Sequence, residues 1–166
     1  NPGDFTGALH NYYLHYRYSM NHEMVTDHEK HAFYPLLRDS VNVYLHLLKK
    51  GDDGKLHLPV LHSPEYGNMA DNNYNLAMLR WACRTLITLC ERYGIDEPLV
   101  PRWKHVLANL VEYPTGENGL LIGAGVPYAR SHRHWSHLMM AFPLRLMDLD
   151  DDANRRLVER SIKHWL

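Results

Sequence analysis

Apolar residues recur at helical spacing along most of the chain, and the runs are interrupted at clusters of Gly, Pro and Asp. Leu76, Leu79, Cys83, Leu86, Cys90 and Tyr93 follow one another at steps of three or four, which predicts a helix from Asp71 to Tyr93 stopped by Gly94. Before it, Thr6 is placed to cap a helix reaching Ser19 and dense in Tyr12, Tyr13, Tyr16 and Tyr18. A second helical region runs from His22 to Lys49, with Pro35 as a break or fresh start and Leu37, Val41, Tyr44, Leu45 and Leu48 as its apolar stripe. Gly51-Asp52-Asp53-Gly54 ends that region. From Lys55 to Leu61, Leu56, Leu58 and Val60 alternate with His57 and Pro59, a short extended segment leading into the loop Ser63-Pro64-Glu65-Tyr66-Gly67.

Beyond Gly94, Glu97-Pro98 opens a fourth helix that buries Trp103, Val106, Leu107 and Leu110. Pro114 to Ser131 carries Gly116, Gly119, Gly123, Gly125 and Pro127, an irregular connection of a length that usually has a function. A fifth helix is expected near Trp135, and Asp150-Asp151-Asp152 caps a sixth carrying Leu157, Val158, Ile162 and Trp165. Six helical segments with almost no strand signal define an all-α class. Helix pairs with long, polar, aromatic-rich connections fit a curved array or an α/α toroid, in which hairpins surround a central cleft, and periodicity does not choose between them.

The length, 166 residues, suits one domain spanning 1–166. With 18 Lys and Arg against 19 Asp and Glu, the chain has no basic field to hold a phosphate backbone, which argues against nucleic acid as a partner. No apolar run approaches the length of a membrane span, so no membrane partner is expected. Cys83 and Cys90 stand too far apart along one helix to bridge and read as reduced core residues. Histidine is abundant, 13 in all, so the net charge should vary strongly in acid. The chain starts without Met and finishes inside a helical pattern, as expected of a piece truncated at its C-terminus.

Two segments carry candidate chemistry. In His62-Ser63-Pro64-Glu65-Tyr66 a carboxylate sits between Pro and an aromatic, where partial burial would raise its pKa and let it hold a proton to donate. The alternative is a turn with a solvated Glu. Ser131-His132-Arg133-His134-Trp135-Ser136-His137-Leu138 groups three imidazoles and a guanidinium. Arg133 and His134 could hydrogen-bond sugar oxygens; zinc at His132, His134 and His137, disfavoured by the cation beside them, and plain capping or packing histidines are the alternatives. Ser136 lacks the Gly-flanked elbow of a nucleophile, and Gly123-Ala124-Gly125 is too short to cradle a phosphate.

Together these segments resemble glycoside hydrolase family 95, the inverting α-L-fucosidase and related α-L-galactosidase family. Its α/α-toroid catalytic domain, of the six-hairpin glycosidase kind, carries Ser-Pro-Glu and, farther on, His-Arg-His-x-Ser-His-Leu followed by an aromatic-Pro pair. Here those read Ser63-Pro64-Glu65, His132-Arg133-His134-Trp135-Ser136-His137-Leu138 and Phe142-Pro143. Tyr34-Pro35-Leu36-Leu37, Gly51-Asp52-Asp53-Gly54 and Asp71 also look like the family's segments around the Glu loop. The chain departs from the family at Tyr66, where Asn is common, at Trp135, where an aliphatic is usual, and at Met139-Met140-Ala141.

The resemblance implies that Glu65 is the general acid and that Arg133 and His134 contact the sugar; His62, Tyr66 and Trp135, beside them in the same two segments, are further candidate substrate contacts by position. Asn11 would match one of a pair of Asn residues that position the attacking water. The family's general base, in an Asp-Gly-Asn motif downstream of His-Arg-His, has no counterpart in these residues. The parent protein would then cleave a terminal α-L-fucoside or related α-glycoside with inversion, without a metal or cofactor. Its substrate would be an oligosaccharide or glycoconjugate, its location extracellular or periplasmic, and the segment would need the rest of its domain or self-association to cover exposed apolar faces. A noncatalytic carbohydrate-binding or scaffolding toroid is the alternative, and a His-rich metal-binding protein a third. The reading requires Glu65 to meet Arg133 and His134 in one sugar-sized hollow.

Overall fold

The computed structural model describes residues 1–129 and 132–165. Ser131, the predicted end of the long loop, and Leu166 lie outside the described residues, as does the side chain of Trp165. Among the described residues the order is α1 (Pro2–Ser19), α2 (Glu23–Thr26), α3 (Phe33–Leu47), β1 (Lys49–Lys50), β2 (Leu56–His57), β3 (Leu61–Ser63), β4 (Gly67–Met69), α4 (Asn73–Tyr93), α5 (Val100–Asn109), β5 (Thr115–Gly116), β6 (Gly119–Leu120) and α6 (Asp152–Trp165). The strands pair as three separate antiparallel hairpins, β1-β2, β3-β4 and β5-β6, so the fold is helical with little strand. No described helix is long and apolar enough to cross a membrane.

The chain divides into two compact units. The first comprises Asn1–Leu47 and Leu79–Asn109. There α1 packs on α3, and Tyr12 and Tyr16 meet Phe33 at ring separations of 5.4 and 6.1 Å. Leu37, Val41 and Tyr44 of α3 are buried, as are Leu79, Cys83, Leu86 and Cys90 of α4, as their spacing predicts, and so are Trp103 and Val106 of α5. Each such side chain contributes about 1.5–3 kcal/mol by leaving water. Thr6 is not the cap of α1. The helix starts at Pro2, whose fixed φ and missing N–H suit a first position, and the Thr6 hydroxyl donates back to the Pro2 carbonyl at 2.9 Å. Gly94, at φ 64°, terminates α4 as expected.

The second unit comprises Leu48–Met78 and Leu110–Leu166. Asp71 anchors its first loops: one carboxyl oxygen accepts the Leu58 N–H at 2.7 Å, and the other lies 2.7 Å from His57 Nδ1. His57 Nε2 lies 3.0 Å from Asp53, and the hydrogen bonds to Asp71 and then Asp53 raise the imidazole's pKa. At the other end, Asp151 caps α6 by accepting the Asn154 N–H at 2.9 Å, as its sequence indicates. Ser161 of α6 accepts the Leu120 N–H at 2.8 Å and so ties the helix to β6.

The fifth helix expected near Trp135 does not form as an α-helix. Ser136–Leu138 make a single 3-10 turn followed by tight turns, with the Ala141 and Phe142 N–H groups both returning to the Leu138 carbonyl at 2.9 and 3.1 Å. Pro143 offers no N–H to continue a helical ladder, so the segment cannot propagate through it.

Candidate active site

Glu65 stands at the tip of the β3-β4 hairpin. Register pairs Ser63 with Gly67, and the Tyr66 N–H closes the turn on the Ser63 carbonyl at 3.0 Å. Pro64 takes the second turn position and Glu65 the third, at φ 59°. That left-handed backbone belongs to Gly or Asn in a turn with this pattern, so a Glu here is strained.

Three sets of contacts hold the hairpin. Asn72 Nδ2 donates to the carbonyls of Leu61 and Met69 at 2.9 and 3.3 Å, and Asn75 Nδ2 donates to His62 O at 2.9 Å and to Asn72 Oδ1 at 2.8 Å. Tyr66 packs its ring against Tyr128 and His132, with centroids 5.5 and 4.9 Å away. Ser63 Oγ lies 2.9 Å from Ser136 Oγ, both hydroxyls buried, which fastens the hairpin directly to the His-Arg-His segment.

That joint brings Glu65 to its expected partners. Arg133 Nη2 donates to Glu65 Oε1 at 2.6 Å and Arg133 Nε donates to His134 Nε2 at 3.1 Å. His134 Nε2 is also 3.0 Å from Oε1, and His132 Nε2 is 3.5 Å from Oε2. His134 Nε2 cannot accept from Arg133 and donate to Glu65 at once, so its contact with the carboxylate replaces the Arg133 bond rather than adding to it. The Glu65 side chain is 41 % exposed and that of Arg133 76 %. The expected burial and raised pKa of Glu65 are therefore overturned: the Arg133 hydrogen bond, followed by the charges of Arg133 and His134, lowers the carboxyl's pKa.

The remaining candidates do not join this set of contacts as closely. His62 is exposed on β3 with Nδ1 3.2 Å from Asn68 Oδ1, and Trp135 is 44 % exposed beside His134 in the chain. Asn11 is exposed on α1, in the first unit, while the cluster is built from the second. A cavity of about 300 Å³ in the second unit is lined by Gly119, Leu120, Tyr128, Ser161 and His164 among others. Glu65, Arg133 and His134 do not line that cavity. His132, His134 and His137 do not form a metal-holding group among the described residues. His137 is buried, stacks on Tyr128 at 4.5 Å, and has its pKa pushed down to about 4 by burial.

Sequence reasoning overlooked the residues that align the two loops: Ser63 and Ser136 as partners, Tyr128, Asn72 and Asn75. The Asn72-Asn73-Tyr74-Asn75 run at the start of a strongly apolar helix is the one visible signal, because consecutive amides at a buried helix start must be holding backbone groups. The catalytic-domain model of glycosyl hydrolase family 95 matches residues 7–163. The chain belongs to that family, and carbohydrate is its substrate class. No curated protein matches it.

Proposed function

We propose that the protein hydrolyses a terminal α-L-fucoside or a related α-glycoside with inversion, in a domain of α/α-toroid form, and that Glu65 is the general acid. The reading is carried by one observation: loops far apart in sequence bring the Glu65 carboxyl within 2.6 Å of Arg133 and 3.0 Å of His134. A guanidinium and an imidazole beside an acid can bind sugar hydroxyls while the acid addresses the glycosidic oxygen. The proton of Glu65 passes to that oxygen as the bond to the anomeric carbon breaks. Water adds at the same carbon and loses its proton to a second carboxylate, which the family pattern assigns to an Asp-Gly-Asn motif absent from these residues.

Without substrate, Arg133 keeps Glu65 in its charged form, which cannot donate. Sugar hydroxyls that draw Arg133 away remove this stabilisation and let the carboxyl's pKa rise back towards its ordinary value. His62, Tyr66 and Trp135 are substrate contacts in this reading, and Asn11 positions water. In the full-length natural protein, Glu65→Gln should cut turnover of glycosides with poor leaving groups by about 10² to 10⁴ while sparing the corresponding glycosyl fluoride. Unchanged turnover removes Glu65 from the chemistry. The charged, exposed state of Glu65 favours a second reading, a noncatalytic sugar-binding domain, for which calorimetry should record sugar binding and no hydrolysis.

A further inference from the structure

The side chains behind Glu65 form a connected chain that the reaction scheme has not used. The Tyr128 hydroxyl accepts the His132 N–H at 2.9 Å and faces the His132 carbonyl at 3.4 Å, so one side-chain atom grips both main-chain groups of His132. The Tyr128 ring is immobilised between the buried His137 imidazole and Tyr66. The His134 N–H donates to His132 Nδ1 at 3.1 Å. A ring nitrogen that accepts a hydrogen bond carries no proton, so the neutral imidazole must bear its proton on Nε2. That nitrogen is the one nearest Glu65, 3.5 Å from Oε2, at the outer edge of hydrogen-bond reach, as catalytic contacts in a substrate-free enzyme often are. Oε1 is the oxygen that Arg133 and His134 approach.

We infer that His132 and Tyr128 are positioning residues for the acid. Tyr128 fixes the His132 backbone, and the His132 imidazole, locked as the Nε2–H tautomer, occupies Oε2, so the transferable proton resides on Oε1. This rests on Glu65 being the general acid. Oε1 then faces the glycosidic oxygen once Arg133 has turned to the sugar, and the carboxyl cannot rotate its proton out of reach. The second-layer role is of the kind that orients a reacting group without touching substrate.

The test uses the full-length natural protein with two substrates of one sugar, an alkyl glycoside with a poor leaving group and a glycosyl fluoride that needs no acid. Tyr128→Phe and His132→Ala should each lower kcat on the alkyl glycoside by about tenfold or more, with KM little changed and the fluoride rate retained. His132→Gln, whose amide N–H can replace Nε2–H, should recover part of the loss. Equal losses on both substrates mean general structural damage and overturn the assignment. If Glu65→Gln also loses both substrates equally, the acid reading itself has failed; if it loses only the alkyl glycoside while the His132 and Tyr128 variants do not, the positioning role alone falls. Long-range ¹H–¹⁵N NMR of the unliganded protein, assigned against His132→Gln, gives a readout independent of turnover. It should show the Nε2–H tautomer for His132, becoming mixed in Tyr128→Phe, and an Nδ1–H tautomer refutes the inference.

Discussion

Replacing Ser136 by Ala tests the joint between the acid hairpin and the His-Arg-His segment. The two hydroxyls, Ser63 at 0 % and Ser136 at 4 % exposure, are 2.9 Å apart and shielded from solvent. Ser136→Ala leaves the Ser63 hydroxyl buried without this partner, a penalty of about 1–3 kcal/mol. For a chain of this length that is a fall in Tm of roughly 2 to 12 °C. Ser63→Ala should cost the same for the mirror-image reason. The double variant removes both polar groups together, and its loss should be clearly smaller than the two single losses combined. Urea unfolding followed by circular dichroism supplies all four corners of the cycle. Strictly additive losses would show that the hydroxyls do not depend on each other and would refute the joint.

Two further outcomes concern pH. Burial lowers His137 to about 4, below its unfolded value near 6.5, so the unfolded chain binds the extra proton first; stability is full above about pH 6.5 and is lost as pH falls towards 4, by up to about 3 kcal/mol. His137→Phe, which keeps the stack on Tyr128, should flatten urea stability across that window, and an unchanged slope counts against the burial argument. His57 works in the opposite sense, because Asp71 and Asp53 raise it: its contribution is complete below about 6.5 and fades as pH rises through the raised folded value. Stability of His57→Gln, measured by urea unfolding from pH 6 to 9, should lack that decline, and an unaltered decline would exclude the clamp as its source.

Legibility in the sequence followed the range of the forces involved. Helix α4 was readable because Leu76, Leu79, Cys83, Leu86 and Cys90 place a continuous apolar stripe on one face, and periodicity reports burial directly. The segment after Trp135 was misread because Leu138, Met140 and Leu144 are apolar enough for a helix, while Pro143 and returning carbonyl bonds turn them into tight loops that bury the same side chains. The meeting of Glu65 with Arg133 and His134 was anticipated from the motifs. Its electrostatic consequence was not, because the pKa of Glu65 is decided by a guanidinium that reaches it only after folding. Nor could spacing foretell that Ser63 and Ser136, apparently minor members of two motifs, would be each other's partners.

On the proposed role of Glu65 as the acid, its left-handed backbone sets durability against turnover at a single codon. Glycine or asparagine would relax the hairpin tip, so selection of this protein for heat tolerance alone should enrich those residues at position 65, and each survivor would have surrendered its carboxyl. If Glu65 is the general acid, a carboxylate at so uncomfortable a position is kept for what it does, not for what it holds together.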